Sequence, residues 1–342
     1  MDGEGICAGE YMVETKGITD DMSNNILILS CGTRDLLVRY FKRADYERVI
    51  GADCSELAPA LYEADKYYLI PRMKEEGYFD AILEICRKEG ITAILPLQED
   101  ELNLISENRE LFEQEGIRTI VSPVETLQIC RDKYCFFEHM TEHGIPVLNS
   151  YIDLAKFEKA YEAGKIGFPV FVKPVRGAGS VGVMKVSCME LLKALFAYSE
   201  EPLLIQEFCN GREFGIDVYV DLVSGEVVDI FAKEKLRMRA GETEKSVTSN
   251  VPALKEFVYR AASTLKLSGP VDMDVFEKDG IFYLSEINPR FGGGFPHAYA
   301  CGVDTPSYIL QNLQGIANES HLQEKREEIY VLKYSDILCI DR

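Results

Sequence analysis

Apolar and polar positions along the first third of the chain switch repeatedly between two periods. Ile26 to Leu29 is a continuous apolar run, and after the turn Ser30-Cys31-Gly32-Thr33-Arg34 the residues Leu36, Leu37, Tyr40 and Phe41 recur at helical spacing. Strand-like runs follow over 48–53, 67–70, 93–96 and 119–121, with helical patterns over 79–88 and 100–114 between them. Short apolar strands alternating with helices predict a Rossmann-like parallel α/β domain over residues 23–123. The turn after the first strand lacks the G-x-G-x-x-G spacing that brings a backbone onto a pyrophosphate. This unit therefore reads as a structural domain lining one side of a cleft.

A helix predicted over 124–143 leads into a different pattern. Strands over 169–172 and 184–186 flank a glycine-rich tip, and a helix over 189–197 with a strand over 203–207 completes a small α+β unit spanning about 145–205. Strands over 213–221 and 227–232 come next, then a charged stretch and a helix near 255–267. Two further runs flank Asp279-Gly280 and predict an antiparallel hairpin. On this reading a second module occupies 124–320, and a C-terminal segment, 321–342, contains an apolar strand over 330–340 that offers sheet-edge or interface material. Residues 1–22 are acidic and read as a loose tail, with Met1 and Met22 both open as the native start.

Composition narrows the partners. The 342 residues carry a formal net charge of −20, which disfavours a nucleic-acid or membrane-surface role because both partners are polyanions. A polyphosphate ligand then needs a local basic cluster. Ten scattered cysteines without a C-x-x-C pair indicate neither a zinc site nor a disulfide framework and fit a reducing, cytoplasmic setting. No apolar run approaches a membrane span.

Candidate chemistry concentrates in the run Leu284-Ser-Glu-Ile-Asn-Pro-Arg290. Strict strand alternation puts Glu286 and Asn288 on one face, with Leu284 on the same row and Ser285 and Ile287 opposite. Asp272 and Asp274 repeat the spacing on the preceding run, so Asp274, Glu286 and Asn288 converge as oxygen donors of the kind that suit Mg²⁺. Upstream, three glycines in Gly177 to Gly182 allow backbone N–H groups to approach phosphate oxygens, and Lys173 stands at the strand end before them. The strand ending at Gln206-Glu207-Phe208-Cys209 presents backbone groups suited to an adenine edge, and Glu213 opens the next strand as a ribose acceptor or as an ordinary exposed acid. Arg237 and Arg239 form a basic island that either clamps a carboxylate or phosphate or simply solvates a loop. His139 and His143 read as surface helix positions. His297 is balanced between lining a substrate pocket and a structural role.

Taken in order, Phe-Val-Lys-Pro with its glycine loop, Gln-Glu-Phe-x-x-Gly-x-Glu-Phe, Asp-Met-Asp-Val-Phe and Glu-Ile-Asn-Pro-Arg resemble the ATP-grasp superfamily, in particular the synthetase units of carbamoyl-phosphate synthase large subunits. The similarity covers about residues 25–315. It implies a Rossmann-like domain followed by an ATP-grasp module with a small lid subdomain and a larger antiparallel-sheet subdomain. It further implies that Lys133 and Lys173 hold nucleotide phosphates, that Gly179, Ser180 and Val181 fold over them, that Glu207, Phe208 and Cys209 line the adenine hinge, and that Glu213 holds the ribose. Asp274, Glu286 and Asn288 would ligate one or two Mg²⁺ ions, with Mn²⁺ an alternative, and Arg290 would face the transferred phosphoryl group. Carbamoyl-phosphate synthases carry a glutamine where Asp274 stands, a departure that should strengthen metal binding. The implied activity is ATP-dependent ligation of a small carboxylate to an amine or thiol, in a protein that pairs as a dimer in similar enzymes. Carbamate or carbamoyl-phosphate chemistry, and a non-catalytic ATP-binding module, remain the alternatives.

Overall fold

The computed structural model describes residues 24–177, 181–239, 241–323 and 325–340. The tail expected over 1–22 and the loop residues Gly179 and Ser180 lie outside these. Strands β1 (Asn25–Leu29), β2 (Arg48–Asp53), β3 (Lys66–Leu69), β4 (Ala93–Pro96) and β5 (Arg118–Thr119) form a parallel sheet ordered β3-β2-β1-β4-β5. Ile26 and Ile28 enter the apolar cluster on one face and Leu27 and Leu29 the cluster on the other. That two-sided burial is why β1 is an unbroken apolar run and not an alternating one.

A second sheet joins β6 (Ser150–Tyr151), β7 (Val170–Pro174), β8 (Met184–Val186) and β9 (Leu203–Glu207) in the antiparallel order β6-β9-β7-β8. The third contains β10 (Arg212–Val220), β11 (Val227–Arg239), β12 (Glu242–Ser249), β13 (Gly269–Lys278), β14 (Ile281–Asn288) and β15 (Tyr330–Leu332), ordered β14-β13-β10-β11-β12-β15. One face of this six-stranded sheet buries Phe214, Ile216, Ile230, Val271 and Met273 against the helix Pro252–Ala262. The other face grades from apolar to charged. Tyr219 and Phe231 join the cluster of the N-terminal sheet, whereas Asp217, Lys233 and Asp272, then Lys235 and Asp274, lie further along the strands.

The N-terminal domain is thereby fixed to the third sheet. Tyr40 stacks on Tyr299 at 3.7 Å between ring centroids, Phe41 meets Phe291 edge-on, and the Tyr46 hydroxyl donates to the Pro306 carbonyl at 3.0 Å.

The helices Leu154–Glu162 and Thr305–Leu313 have no counterpart in the sequence reading, the helix read near 255–267 is Pro252–Ala262, and four further segments differ in kind. The helix predicted over 124–143 is two, Val124–Arg131 and Lys133–Glu142, because the Asp132 carboxylate accepts from the Tyr134 and Cys135 N–H groups and starts a new helix. The pattern over 100–114 likewise divides at Asn108. The charged stretch after residue 232 is no loop, since β11 runs on to Arg239 and pairs with β12. Only Tyr330–Leu332 of the run 330–340 is strand.

Candidate active site

The three sheets enclose a cavity of about 380 Å³. Of the predicted site residues, Lys133, Lys173, Val181, Glu207, Cys209, Glu213, Asp274, Glu286, Asn288 and Arg290 all line it. Arg34 and Glu99 add a wall from the N-terminal domain.

On the side of the second sheet, the Lys173 ammonium is buried at the end of β7 and donates to Gln206 Oε1 at 2.9 Å. Burial pushes it down to about 8, with the Lys133 charge acting in the same direction against Glu286 and Asp274. Lys133, the first residue after the Asp132 cap, holds the base of the glycine loop. Its backbone N–H donates to Val175 O at 3.1 Å and its Nζ to Gly177 O at 2.6 Å, while Arg176 pairs with Asp132. Two lysines thus flank the stem of the loop.

On the opposite side, β13 and β14 place Asp274 directly across from Glu286 and Asp272 across from Asn288. The result is a two-by-two array of oxygen-bearing side chains. Strict alternation fails at one point: Ser285 is bulged, so Leu284 pairs with Val275 and enters the core with Ile287, away from Glu286. A bulge adds one residue to a strand and reverses the facing beyond it.

Lys235 neutralises part of this array. Its Nζ lies 2.5 Å from Asp274 Oδ1 and 2.8 Å from Glu213 Oε1. Its own burial opposes the ammonium, and Asp274, Glu213 and Asp272 outweigh that and raise its pKa. Asp274 is raised by burial and by the carboxylates of Glu286, Asp272 and Glu213, against Lys235. Glu286 is held low because Lys173, the Asn288 amide, Lys235 and Lys133 outweigh its burial. Gly215 makes this crossing possible. A Cβ there would lie 3.0 Å from Lys235 Cε and 3.3 Å from Lys233 Cε.

Lys233 and Lys235 are the residues that the sequence pattern missed. Lys233 is fully buried and pairs with Asp217 beneath Gly294. Their alternation along β11 was visible, but charged side chains stand where a strand reading looks for apolar ones.

Arg237 and Arg239 are not brought into the cavity. Register shifts between Lys235 and Met238 turn them away, and both pair with Glu244 at the exposed hairpin end, at 2.9 and 3.4 Å. The Phe208 side chain packs on Phe171 and under the Lys185 ammonium. His297 is buried between the Ser246 and Thr248 hydroxyls, pushed down to about 4 by burial and by Lys233, and does not line the cavity.

Among the described residues no three His, Cys, Asp or Glu side chains are placed to hold a metal ion by themselves. The array nonetheless has the chemistry of a hard-cation site: it offers only oxygen ligands, it is partly desolvated, and its mutual repulsion already draws in an ammonium.

Comparison with known proteins agrees with this geometry. Residues 26–120 match the family described as PylC-like, N-terminal domain, and residues 199–337 the family described as ATP-grasp in the biosynthetic pathway with Ter operon. The chain carries an ATP-grasp module. It is 27% identical over 194 residues to the arginine-specific carbamoyl phosphate synthase large chain of Bacillus subtilis, covering 53% of this chain and 18% of that one. It is 29% identical over 211 residues to a D-alanine–D-alanine ligase of Geobacillus thermodenitrificans, covering 54% of this chain and 58% of the ligase. The chain therefore spans less than two thirds of these relatives. The biotin carboxylase of Campylobacter jejuni, solved as a β-γ-ATP complex, shares the fold with a TM-score of 0.71 at 20% identity, over 90% of this chain and 74% of that one. The six-stranded sheet, which carries the acidic array, falls within the matched residues 199–337, and the second sheet carries the glycine loop. No helix among the described residues is long and apolar enough to cross a membrane.

Proposed function

We propose that the protein is an ADP-forming carboxylate–amine ligase that binds ATP in this cavity. The observation that carries the reading is the opposition of two lysines at the glycine loop to a four-oxygen array across one cleft. Lys133 and Lys173 take the phosphates, Glu207, Phe208 and Cys209 border the adenine, and Glu213 accepts from the ribose. Val181 borders the phosphates from the loop side, and a phosphate contact by Gly179 and Ser180 is carried by the family resemblance alone. Asp274, Glu286 and Asn288 hold Mg²⁺, or Mn²⁺, which when bound neutralises charge on the phosphoryl oxygens. The relatives named as a carbamoyl phosphate synthase and a D-alanine–D-alanine ligase support ligase chemistry in general, and the donors here are those such chemistry needs.

The reaction proceeds in two displacements. A carboxylate oxygen of the acid attacks the γ-phosphorus, the bond to the bridging oxygen breaks and ADP leaves, with Arg290 facing the charge on the moving group. The amine nitrogen then attacks the acyl carbon, the C–O bond breaks with its electrons on phosphate, and the ammonium formed loses a proton to water. Lys173 and Lys133 hold the nucleotide in line for the displacement. The substrates are a small acid and a small amine. The nine described cysteines are all free, which supports a reducing, cytoplasmic setting.

The test is ADP release across paired acids and amines, with hydroxylamine added to trap the acyl phosphate as a hydroxamate. Glu286→Gln is expected to lower turnover about a hundredfold. Equal ADP release by the variant and the parent would sink the assignment.

A further inference from the structure

We infer that the acid activated in this cleft is a zwitterionic α-amino acid, its carboxylate lying between Arg34 and Arg290 and its ammonium facing Glu242 and Asp272. The inference rests on the ligase reading for its chemistry and on the N-terminal wall of the cavity for its geometry.

Arg34 closes the turn that follows β1, immediately before the helix Asp35–Arg43, with its N–H bonded to Cys31 O at 2.9 Å. That helix cannot shift freely, because its Tyr40 and Phe41 are locked against Tyr299, Phe295 and Phe291. Among the described residues no carboxylate lies within ion-pair distance of the Arg34 guanidinium, although it lines the cavity. Arg290 donates to Phe291 O at 3.0 Å, and its two ion pairs, to Asp272 and Glu99, stand at 3.9 and 4.0 Å, beyond hydrogen-bond reach. Two partly desolvated guanidiniums therefore share one corner with donors to spare. Burial and the like charge of Arg290 depress the Arg34 pKa, outweighing Glu242 and Asp272, which act the other way.

The same corner carries carboxylates. Glu242 pairs with Lys333 at 2.9 Å and also feels both arginines, and Asp272 stands beside Arg290. A simple dianion would satisfy the arginines but meet Glu242 and Asp272. An amine alone would leave the arginines unpaired. A zwitterion answers both signs at once. Because Arg290 is two residues beyond Asn288, a carboxylate held there adjoins the edge where the phosphoryl group is delivered, so the amino acid is the activated acid and not the attacking amine.

The probes are the common L- and D-amino acids, each also as its α-carboxamide and its N-acetyl derivative. Binding to the full chain is measured calorimetrically with a non-hydrolysable ATP analogue and Mg²⁺ present. At least one amino acid is expected to bind, and capping either end is expected to weaken it about 30-fold. Arg34→Met should weaken the amino acid by a similar factor, leave its carboxamide and the nucleotide analogue unchanged, and be partly rescued by Arg34→Lys. If the methionine variant fails to fold, the lysine variant and the capped probes on the parent decide the matter. Absence of amino-acid binding where the nucleotide binds, equal binding of the capped forms, or full affinity in Arg34→Met overturns the inference. Arg34-dependent binding without ADP release would retire the ligase reading, and with it the activation step, and keep the zwitterion site; ADP release with Arg34-independent binding would do the reverse.

Discussion

Lys235→Met tests the electrostatics of the acidic array most directly. The Lys235 ammonium is only 6% exposed and bridges Glu213 and Asp274, whose side chains are 28% and 20% exposed. At about 3 Å and an effective dielectric of about 20, each contact is worth roughly 5 kcal/mol before desolvation is counted. The desolvation relieved on removing the ammonium, and the residual hydration of the two partners, reduce the net loss to about 2–3 kcal/mol. The loss depends on pH. Asp274 already has a raised folded-state pKa, so the folded state binds more protons than the unfolded one from the ordinary aspartate range upward, and stability falls as pH rises through that window. Without Lys235 that pKa climbs further. The deficit should therefore be small near pH ~4, where the carboxylates take protons in both states, and full in mildly alkaline solution. Urea unfolding of variant and parent at both pH values, with and without Mg²⁺, measures this. Mg²⁺ should restore more stability to the variant than it adds to the parent, because it supplies the missing positive charge. Equal stability in alkaline solution, or equal gains from Mg²⁺, would refute the reasoning.

Two further outcomes follow from the same cleft. Lys173 is pushed down to about 8, so its positive charge is lost as pH rises through that value, and the affinity of the free protein for an ATP analogue should fall there; Lys173→Met should bind weakly and show no such fall. The linkage to folding has the opposite sign, since between about 8 and the ordinary lysine range the unfolded state binds more protons and stability rises with pH. Gly294→Ala puts a Cβ 2.5 Å from Lys233 Cε, and because that lysine is buried against Asp217 the cost should be about 1–3 kcal/mol by thermal or urea unfolding, with Gly293→Ala, facing the half-exposed Glu242, costing less.

The legible parts of the sequence were those where one physical rule acted alone. The strands Arg48–Asp53, Ala93–Pro96, Met184–Val186 and Leu203–Glu207 have the bounds that apolar patterning predicts. That the two acidic runs form one hairpin follows from the Asp279-Gly280 turn, but its register alone would set Asp274 against Ser285, and the bulge brings Glu286 opposite instead. Legibility failed where a second requirement competed. Lys233 and Lys235 face a ligand cleft, so their strand lacks apolar alternation, and the sequence reading stopped it at Ala232. Ser285 is extra in its strand, so counting by twos misplaces Leu284. Asp132 both ends one helix and caps the next, a junction that apolar periodicity passes over because the core-facing residues continue through it. Arg34 carried no motif at all. Its importance comes from Tyr40 and Phe41, which dock its helix against residues some 250 positions later in the chain.

That docking bears on how such a protein diversifies. Tyr40, Phe41, Phe291, Phe295 and Tyr299 belong to one apolar cluster shared by the two walls. The wall presenting Arg34 and the edge presenting Glu286 and Asn288 are therefore packed as one unit, and exchanging the first domain as an independent cassette requires repacking the seam. Single side chains that protrude from the wall into the cavity, such as Arg34, can be changed without disturbing that seam, whereas recombining whole domains disturbs it.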